Sequence, residues 1–298
     1  MPDAHMTNQD KLNRIEKVLD YIHDHLDETI HVAELAEKSC WSRWQFQRVF
    51  GEATGLTVAQ YTRELRLSHA AELLLSSPQR HLDIAIQCGF DSEISFSRAF
   101  KQMFHTTPRD YRQRGVRQGL RTPLQYRQAN HRVEAPKAFT QIRIENRSAF
   151  QLKAQSDWVY GPFSNQPDFQ YKVRELWRKV DGELVKNNLE GQPIGVIDTK
   201  FCPHHPEQIH YWASYLEQTM LPEDYPTLTV PAQEYAVIPV HGKVQAIEEA
   251  VRWFLFYWLP DSDYNGVSGF ELEMYQSNYD PADPNSYMEY WLPIESRK

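Results

Sequence analysis

Arginine, glutamine and serine recur through residues 31–115 at a spacing suited to reading DNA bases. Arg48 is followed by Phe50, Thr57 and Tyr61 at steps of 2, 9 and 13 residues, and Arg98 by Phe100, Thr107 and Tyr111 at the same steps. Leu35-Ala36, Trp44 and Phe46 precede the first arginine as Ile84-Ala85, Ile94 and Phe96 precede the second. Guanidinium and amide groups form two-pronged hydrogen bonds with guanine and adenine, each pair worth roughly 1–3 kcal/mol of discrimination. In SRWQFQRVF the apolar stripe is Phe46, Val49 and Phe50, which leaves Arg43, Trp44, Gln47 and Arg48 facing elsewhere. In SEISFSRAFKQMF the stripe is Phe96, Ala99, Phe100 and Met103, leaving Ser92, Glu93, Ser95, Ser97, Arg98 and Lys101 for a partner. The first segment is richer in donors, and Glu93 repels phosphate unless it accepts from a cytosine, so the first is expected to read sequence more strongly. Trp44 fits either a core position or a cover over a sugar or a thymine methyl. A plain helical bundle with a solvated face is the competing reading. Against it, the spacing, turn and cap signals agree in both copies, as expected of one supersecondary unit used twice.

A second chemistry lies in FELEMY. In a strand, Glu271, Glu273 and Tyr275 share one face and Phe270, Leu272 and Met274 the other. Two carboxylates and a phenol suit an organic cation if that face lines a pocket. The surrounding sequence supplies rings for its walls, Trp212, Trp253 and Tyr257 among them. Each cation–π contact is worth about 0.5–2 kcal/mol. A solvated carboxylate face with the rings filling the core is the alternative, and it would suit a protein-docking module. A Glu273–Tyr pair acting as base and orienting donor would instead suit a hydrolase of small electrophiles. FCPHHPEQIH gathers Cys202, His204, His205 and His210, which could ligate a metal, but its prolines indicate an ordinary surface loop, and no metal is expected. There is no Ser-His-Asp motif, HExxH or glycine-rich phosphate loop, and 12 glycines in 298 residues leave little room for one. Neither a cofactor nor catalysis is expected.

The elements that must position these groups follow from periodicity and punctuation. Residues 11–26 place Leu12, Ile15, Val18, Leu19, Ile22 and Leu26 on one stripe of a helix. Further helices are predicted at about 32–38, 42–53, 58–76, 81–87 and 92–104, with a last one opened by Thr107-Pro108. Gly55 and Thr57 are the expected C-cap and N-cap around one junction. Residues 58–76, at 1.5 Å per residue, span roughly 28 Å, a suitable strut for two reading heads about one DNA turn (~34 Å) apart. Residues 116–136 have no clear period and read as a linker. Beyond them come β-like runs (QIRIEN, FQLKAQ, PIGVID, IHYWASYL, YAVIPV, FELEMY, MEYWLPI) and amphipathic helices at about 168–187 and 243–258. The fold class is therefore multidomain, an all-α N-terminal domain (1–115) joined to an α+β domain (137–298).

A formal net charge of −8 taken alone argues against a nucleic-acid partner, but its distribution removes the objection. Residues 41–127 carry 13 Lys and Arg against 7 Asp and Glu, whereas residues 129–298 carry 15 against 24. A basic region and an acidic one call for different partners. Three cysteines without CxxC spacing fit a reducing compartment. No run reaches the roughly 18 apolar residues of a membrane span, and the polar start MPDAHMTNQDK lacks a secretion signal. A cytoplasmic protein with no membrane partner is expected.

The run FDSEISFSRAFKQMFHTTPRDYR resembles the signature of the AraC/XylS family of transcription regulators, F-x-S-x-x-x-F-x-R-x-F followed by T-P-x-x-Y-R, over about residues 11–115. That resemblance implies two helix-turn-helix motifs on double-stranded DNA, with contacts from Trp44, Gln47 and Arg48 and from residues around Glu93, Ser97 and Arg98. Cys40 departs from the family pattern, standing where the first turn normally has glycine at positive φ, and Glu93 stands where an uncharged polar residue is usual. EYAVIPVHG, FYWLPDSDY, FELEMY and MEYWLPI together resemble the gyrase-inhibitor-like effector-binding fold over about residues 137–298. This implies a duplicated strand–helix–strand unit that receives a small-molecule effector, typically a lipophilic cation, on an acidic residue and aromatics. The expected protein is a DNA-binding regulator, with RNA polymerase as a further partner. It is expected to act as a monomer, because both heads lie on one chain.

Overall fold

Side chains that cap helices set the boundaries of the N-terminal region. The computed structural model describes residues 8–28, 30–126, 139–161, 166, 168–187, 191–200, 208–216 and 225–297. They fall into two compact units, Met1–Glu145 and Asn146–Lys298. In the first unit the helices are α1 (Asn8–Asp24), α2 (Val32–Lys38), α3 (Arg43–Thr54), α4 (Val58–Ser76), α5 (His81–Gln87), α6 (Glu93–Phe104) and α7 (Pro108–Arg114). Ser42 and Gln45 exchange hydrogen bonds in a capping box at the start of α3, and Thr57 and Gln60 do the same for α4. Ser92 caps α6, and Thr107 with Pro108 at the first helical position opens α7.

Two apolar clusters share α4. The first joins Ile15, Val18, Leu19 and Ile22 of α1 to Leu35, Phe46, Phe50, Tyr61 and Leu65. In the second half the rings of Phe90, Phe96, Phe100 and Tyr111 meet in sequence at 5.4–5.5 Å. The α4 helix thus braces both helix-turn-helix units, as its length suggested.

Short strands β1 (Leu120–Arg121), β2 (Gln125–Tyr126) and β3 (Phe139–Thr140) follow, then β4 (Arg143–Arg147). Over residues 116–126, the described part of the linker read at 116–136, the structure differs from that reading. Leu120 and Leu124 are buried, the Leu124 amide donates to Tyr61 Oη at 2.9 Å, and the Arg121 amide donates to Ser68 Oγ at 2.8 Å. The stretch lacks periodicity because its partners are helical residues far away in sequence. The described residues through Glu145 therefore belong to the helical unit.

The second unit contains β5 (Phe150–Lys153), β6 (Gln155–Val159), α8 (Phe169–Asn187), β7 (Pro193–Asp198), β8 (Ile209–Tyr215), β9 (Thr227–Val230) and β10 (Gln233–His241). Next come α9 (Gln245–Trp253), a π-helical turn (Phe254–Trp258), α10 (Leu259–Asp261), β11 (Tyr264–Gly266), β12 (Phe270–Tyr275) and β13 (Tyr287–Ser296). The strands run in the order β10-β13-β12-β7-β8-β6, with β11 on β13 and a separate β5–β9 pair. The order halves into two like units, β6-α8-β7-β8 and β10-α9-β12-β13, joined by the antiparallel β7–β12 pair. The duplication is as the resemblance implied, with one more strand in each copy. On one sheet face Leu152, Ile194, Val196, Leu228, Tyr235, Phe270, Leu272 and Met274 form a continuous core. The other face carries the carboxylates.

No helix among the described residues is long and apolar enough to cross a membrane.

Candidate functional site

The α3 and α6 helices present equivalent outward faces. Phe46 and Phe50 on α3, and Phe96 and Phe100 on α6, are fully buried. That turns Arg43, Gln47 and Arg48 of the first helix, and Glu93, Arg98 and Lys101 of the second, into the exposed set. Ser92 and Ser97 are half-buried, and the Ser92 hydroxyl is engaged in capping, where it accepts from the Ser95 amide at 3.2 Å. The side chain of Trp44 lies outside the described residues. Arg48 Nε donates to Glu52 Oε1 at 2.8 Å, one turn along α3, which holds the guanidinium on the outer surface. Ser97, Arg98 and Lys101 line a groove with His81, Thr107, Pro108 and Arg109. His81 and Arg109 were missed in the sequence, although Arg109 directly follows the Thr107-Pro108 cap. Cys40 has φ +56°, and Gly89 in the second copy has φ +72°, so both turns use the left-handed region despite the cysteine.

The second candidate site sits at the β7–β12 junction. Glu273 lies opposite Gly195 on β7 and Tyr290 on β13, while Gly195 lies opposite Ala213 on β8. Only 3% exposed, Glu273 accepts on Oε2 from Tyr211 Oη at 2.6 Å and from Tyr275 Oη at 2.7 Å. Trp177 Nε1 of α8 donates to Tyr211 Oη at 3.1 Å, and its ring meets Tyr275 edge-on at 5.7 Å. Phe169 packs edge-on against Tyr211 at 5.4 Å. Glu271, two residues earlier on the same face, accepts from Tyr290 Oη. Burial raises the Glu273 carboxyl above its ordinary range, partly offset by the two phenol bonds. Burial also lifts Glu271 to about 7, against the Tyr290 hydrogen bond and with help from the Glu273 charge. The phenols of Tyr211, Tyr275 and Tyr290 are pushed well above their usual range, chiefly by burial. They remain neutral donors. Tyr279, whose ring lies tilted 4.7 Å from that of Tyr275, keeps a buried hydroxyl without a partner among the described residues.

The alternation read in FELEMY therefore brings Glu271, Glu273 and Tyr275 together, but not the walls expected around them. Trp212 pairs with Val196, which itself pairs with Leu272, so its side chain belongs to the opposite, core face. Trp253 is buried at the end of α9, and Tyr257 is 64% exposed on the π-helical turn. Among the described residues neither ring contacts the carboxylates. The aromatic partners are instead Tyr211 and Tyr290, which strand register brings to this face, and Trp177 of α8. His210 stacks on Trp158 at 4.3 Å and meets Trp212 at a tilt at 4.4 Å. Cys202, His204 and His205 lie outside the described residues, among which no side-chain group is arranged to hold a metal.

Comparison with known proteins separates the two units in the same way. Residues 35–114 match a family described as a helix-turn-helix domain, and residues 163–294 match the integron-associated effector binding proteins. Regulatory protein SoxS of Salmonella typhimurium is 37% identical over 100 residues, covering 34% of this chain and 94% of SoxS. The chain belongs to the AraC/XylS family of transcription regulators. Another AraC-family relative, transcriptional regulator Rob of the same organism, is 38% identical over 117 residues. That match spans 39% of this chain and only 40% of Rob. The structure of SAV2435 bound to tetraphenylphosphonium is 16% identical, covers 52% of this chain and 93% of that one, and has a TM-score of 0.40. That likeness is too slight to carry a functional argument for this AraC-family member.

Proposed function

We propose that the chain is a sequence-specific regulator whose residues 1–115 bind double-stranded DNA through two successive major grooves. In this reading its second unit senses a small molecule, in the first place a lipophilic cation. The DNA reading is carried by the repeat that turns Arg48 and Arg98 outward from two equivalent helices braced by α4. Recognition helices need an anchored apolar side and a cationic outer one, and both copies have them. In this scheme residues 116–126 dock on the DNA-binding unit, and effector recognition belongs to the second unit, Asn146–Lys298. One chain carries both heads, so a monomer suffices for an asymmetric site. RNA polymerase is the further partner, the cytoplasm is the working compartment, and catalysis has no part.

The effector reading is supported by Glu273, a nearly buried carboxylate beside phenols and an indole that, among the described residues, is hydrogen-bonded to Tyr211 and Tyr275 and not to a basic side chain. A buried carboxylate without a counter-charge is costly, and an aromatic cation would relieve that cost. A docking module calls for a shallow, solvated carboxylate face, and the burial of Glu273 supports the effector reading over it. One feature does favour docking: Phe256 and Tyr257 are 67% and 64% exposed on the π-helical turn. A thermal-shift screen of the full chain against lipophilic cations, matched neutral analogues and anions decides between them. Selective stabilisation by cations that is weakened in Glu273→Gln is the expected result. No shift with any compound would transfer the role to the exposed aromatic pair and a protein partner.

A further inference from the structure

The outer face of α6 holds one residue that charge and hydrogen bonding do not explain. Ile94 is 67% exposed, more open than Leu82 or Ile86 on the neighbouring α5. At 3.6 residues per turn, Ile94, Arg98 and Lys101 at i, i+4 and i+7 form one line along the helix. The fully buried Phe96 and Phe100 lie on the opposite side. Ile94 is the second residue of α6 (Glu93–Phe104), and the first turn of a recognition helix meets base edges in the major groove. It holds the place in the second copy that Trp44 holds in the first, four residues before the arginine in each.

An isoleucine offers neither donor nor acceptor, so it cannot read the hydrogen-bond pattern of any base. Of the base edges in the major groove, only thymine presents an apolar group, its C5-methyl. Left facing water, the side chain gains nothing; set against that methyl, both lose apolar surface to solvent. Resting on the DNA-binding reading above, we infer that Ile94 reads the methyl group of one thymine in the second half-site. It would fix a T·A pair there, while Arg98 and Lys101 supply the polar contacts around it. The second head is then a mixed apolar and cationic reader, unlike the donor-rich first.

The test uses the full chain and a site selected from random-sequence duplex DNA. Each thymine of the second half-site is replaced in turn by deoxyuridine, which pairs identically and lacks only the methyl group. Affinity should fall about fourfold at one thymine, the effect of one buried methyl, and stay level at the others. In Ile94→Ala, which removes an exposed side chain and leaves the buried face of α6 intact, dT and dU should bind equally at that position. Ile94→Val should keep most of the difference. Circular dichroism of each variant checks that α6 is formed. Indifference of the wild type to dU at every second-half thymine would overturn the inference while leaving DNA binding standing. So would a dT preference that persists in Ile94→Ala. Failure to bind any DNA would overturn both readings.

Discussion

Replacing Gly195 with alanine should dismantle the carboxylate site without altering any group that makes a hydrogen bond in it. A Cβ at that position would fall 2.3 Å from Tyr211 Oη and 2.6 Å from Glu273 Oε2. Tyr211 is fully buried, with Phe169 and Trp177 packed around it, so its ring has no free direction of retreat. Overpacking of this kind costs about 1–3 kcal/mol. Parting the phenol from a carboxylate costs about 1.5–3 kcal/mol more, as for a hydrogen bond to a charged group. At about 2–4 °C per kcal/mol for a unit of some 150 residues, a summed loss of about 2.5–6 kcal/mol lowers its unfolding midpoint by roughly 5–24 °C. Scanning calorimetry of the full chain measures this. The double variant Gly195→Ala with Tyr211→Phe removes the oxygen that the new methyl meets, and should recover part of the loss although it has one hydrogen bond fewer. A single variant unfolding within about 2 °C of the wild type, or a double variant no better than the single, would refute the steric argument.

Three further outcomes are expected. Because folding raises the Glu271 carboxyl to about 7 from the ordinary 4.5, the folded form binds that proton more tightly than the unfolded chain. The second unit should therefore lose about 3 kcal/mol of stability as pH rises from about 4.5 through 7, a slope that Glu271→Gln should flatten in urea titrations at several pH values. Cys40→Gly should stabilise the helical unit by about 1 kcal/mol by relieving a left-handed non-glycine residue, read as a higher urea midpoint at constant slope. Arg48→Ala should cost about 1–3 kcal/mol on a selected site and relax base preference at one position, whereas an equal loss on random DNA would make Arg48 a phosphate contact.

The helical unit was largely legible in the sequence because its boundary signals are local. Ser42, Thr57, Ser92 and Thr107 each bond to a residue three positions on, so the polar–apolar pattern and the cap fall in one short window. The segment 116–126 was misread for the opposite reason. Its partners Tyr61 and Ser68 lie more than 50 residues away, and nothing near Leu124 in sequence announces them. Strands β6 (QSDWV) and β9 (TLTV) went unrecognised because they are short and mix polar with apolar residues. Within β12, alternation alone placed Glu271, Glu273 and Tyr275 on one face. The error over Trp212 arose between strands, where the register of β7 against β8 decides which side chains meet, and that register comes from the fold as a whole. Gly195 illustrates the same limit, since its role rests on the Tyr211 and Glu273 oxygens beside it.

The two helix-turn-helix copies share a backbone but carry different outward side chains, Arg43, Gln47 and Arg48 on one and Ile94, Arg98 and Lys101 on the other. Heads that differ cannot be exchanged, so turning the site end for end turns the bound protein with it. This chain has a polarity. Inverting its site beside a gene would leave affinity untouched while reversing which end of the bound protein faces that gene, so one sequence could serve as an activating element in one orientation and an inert or obstructive one in the other.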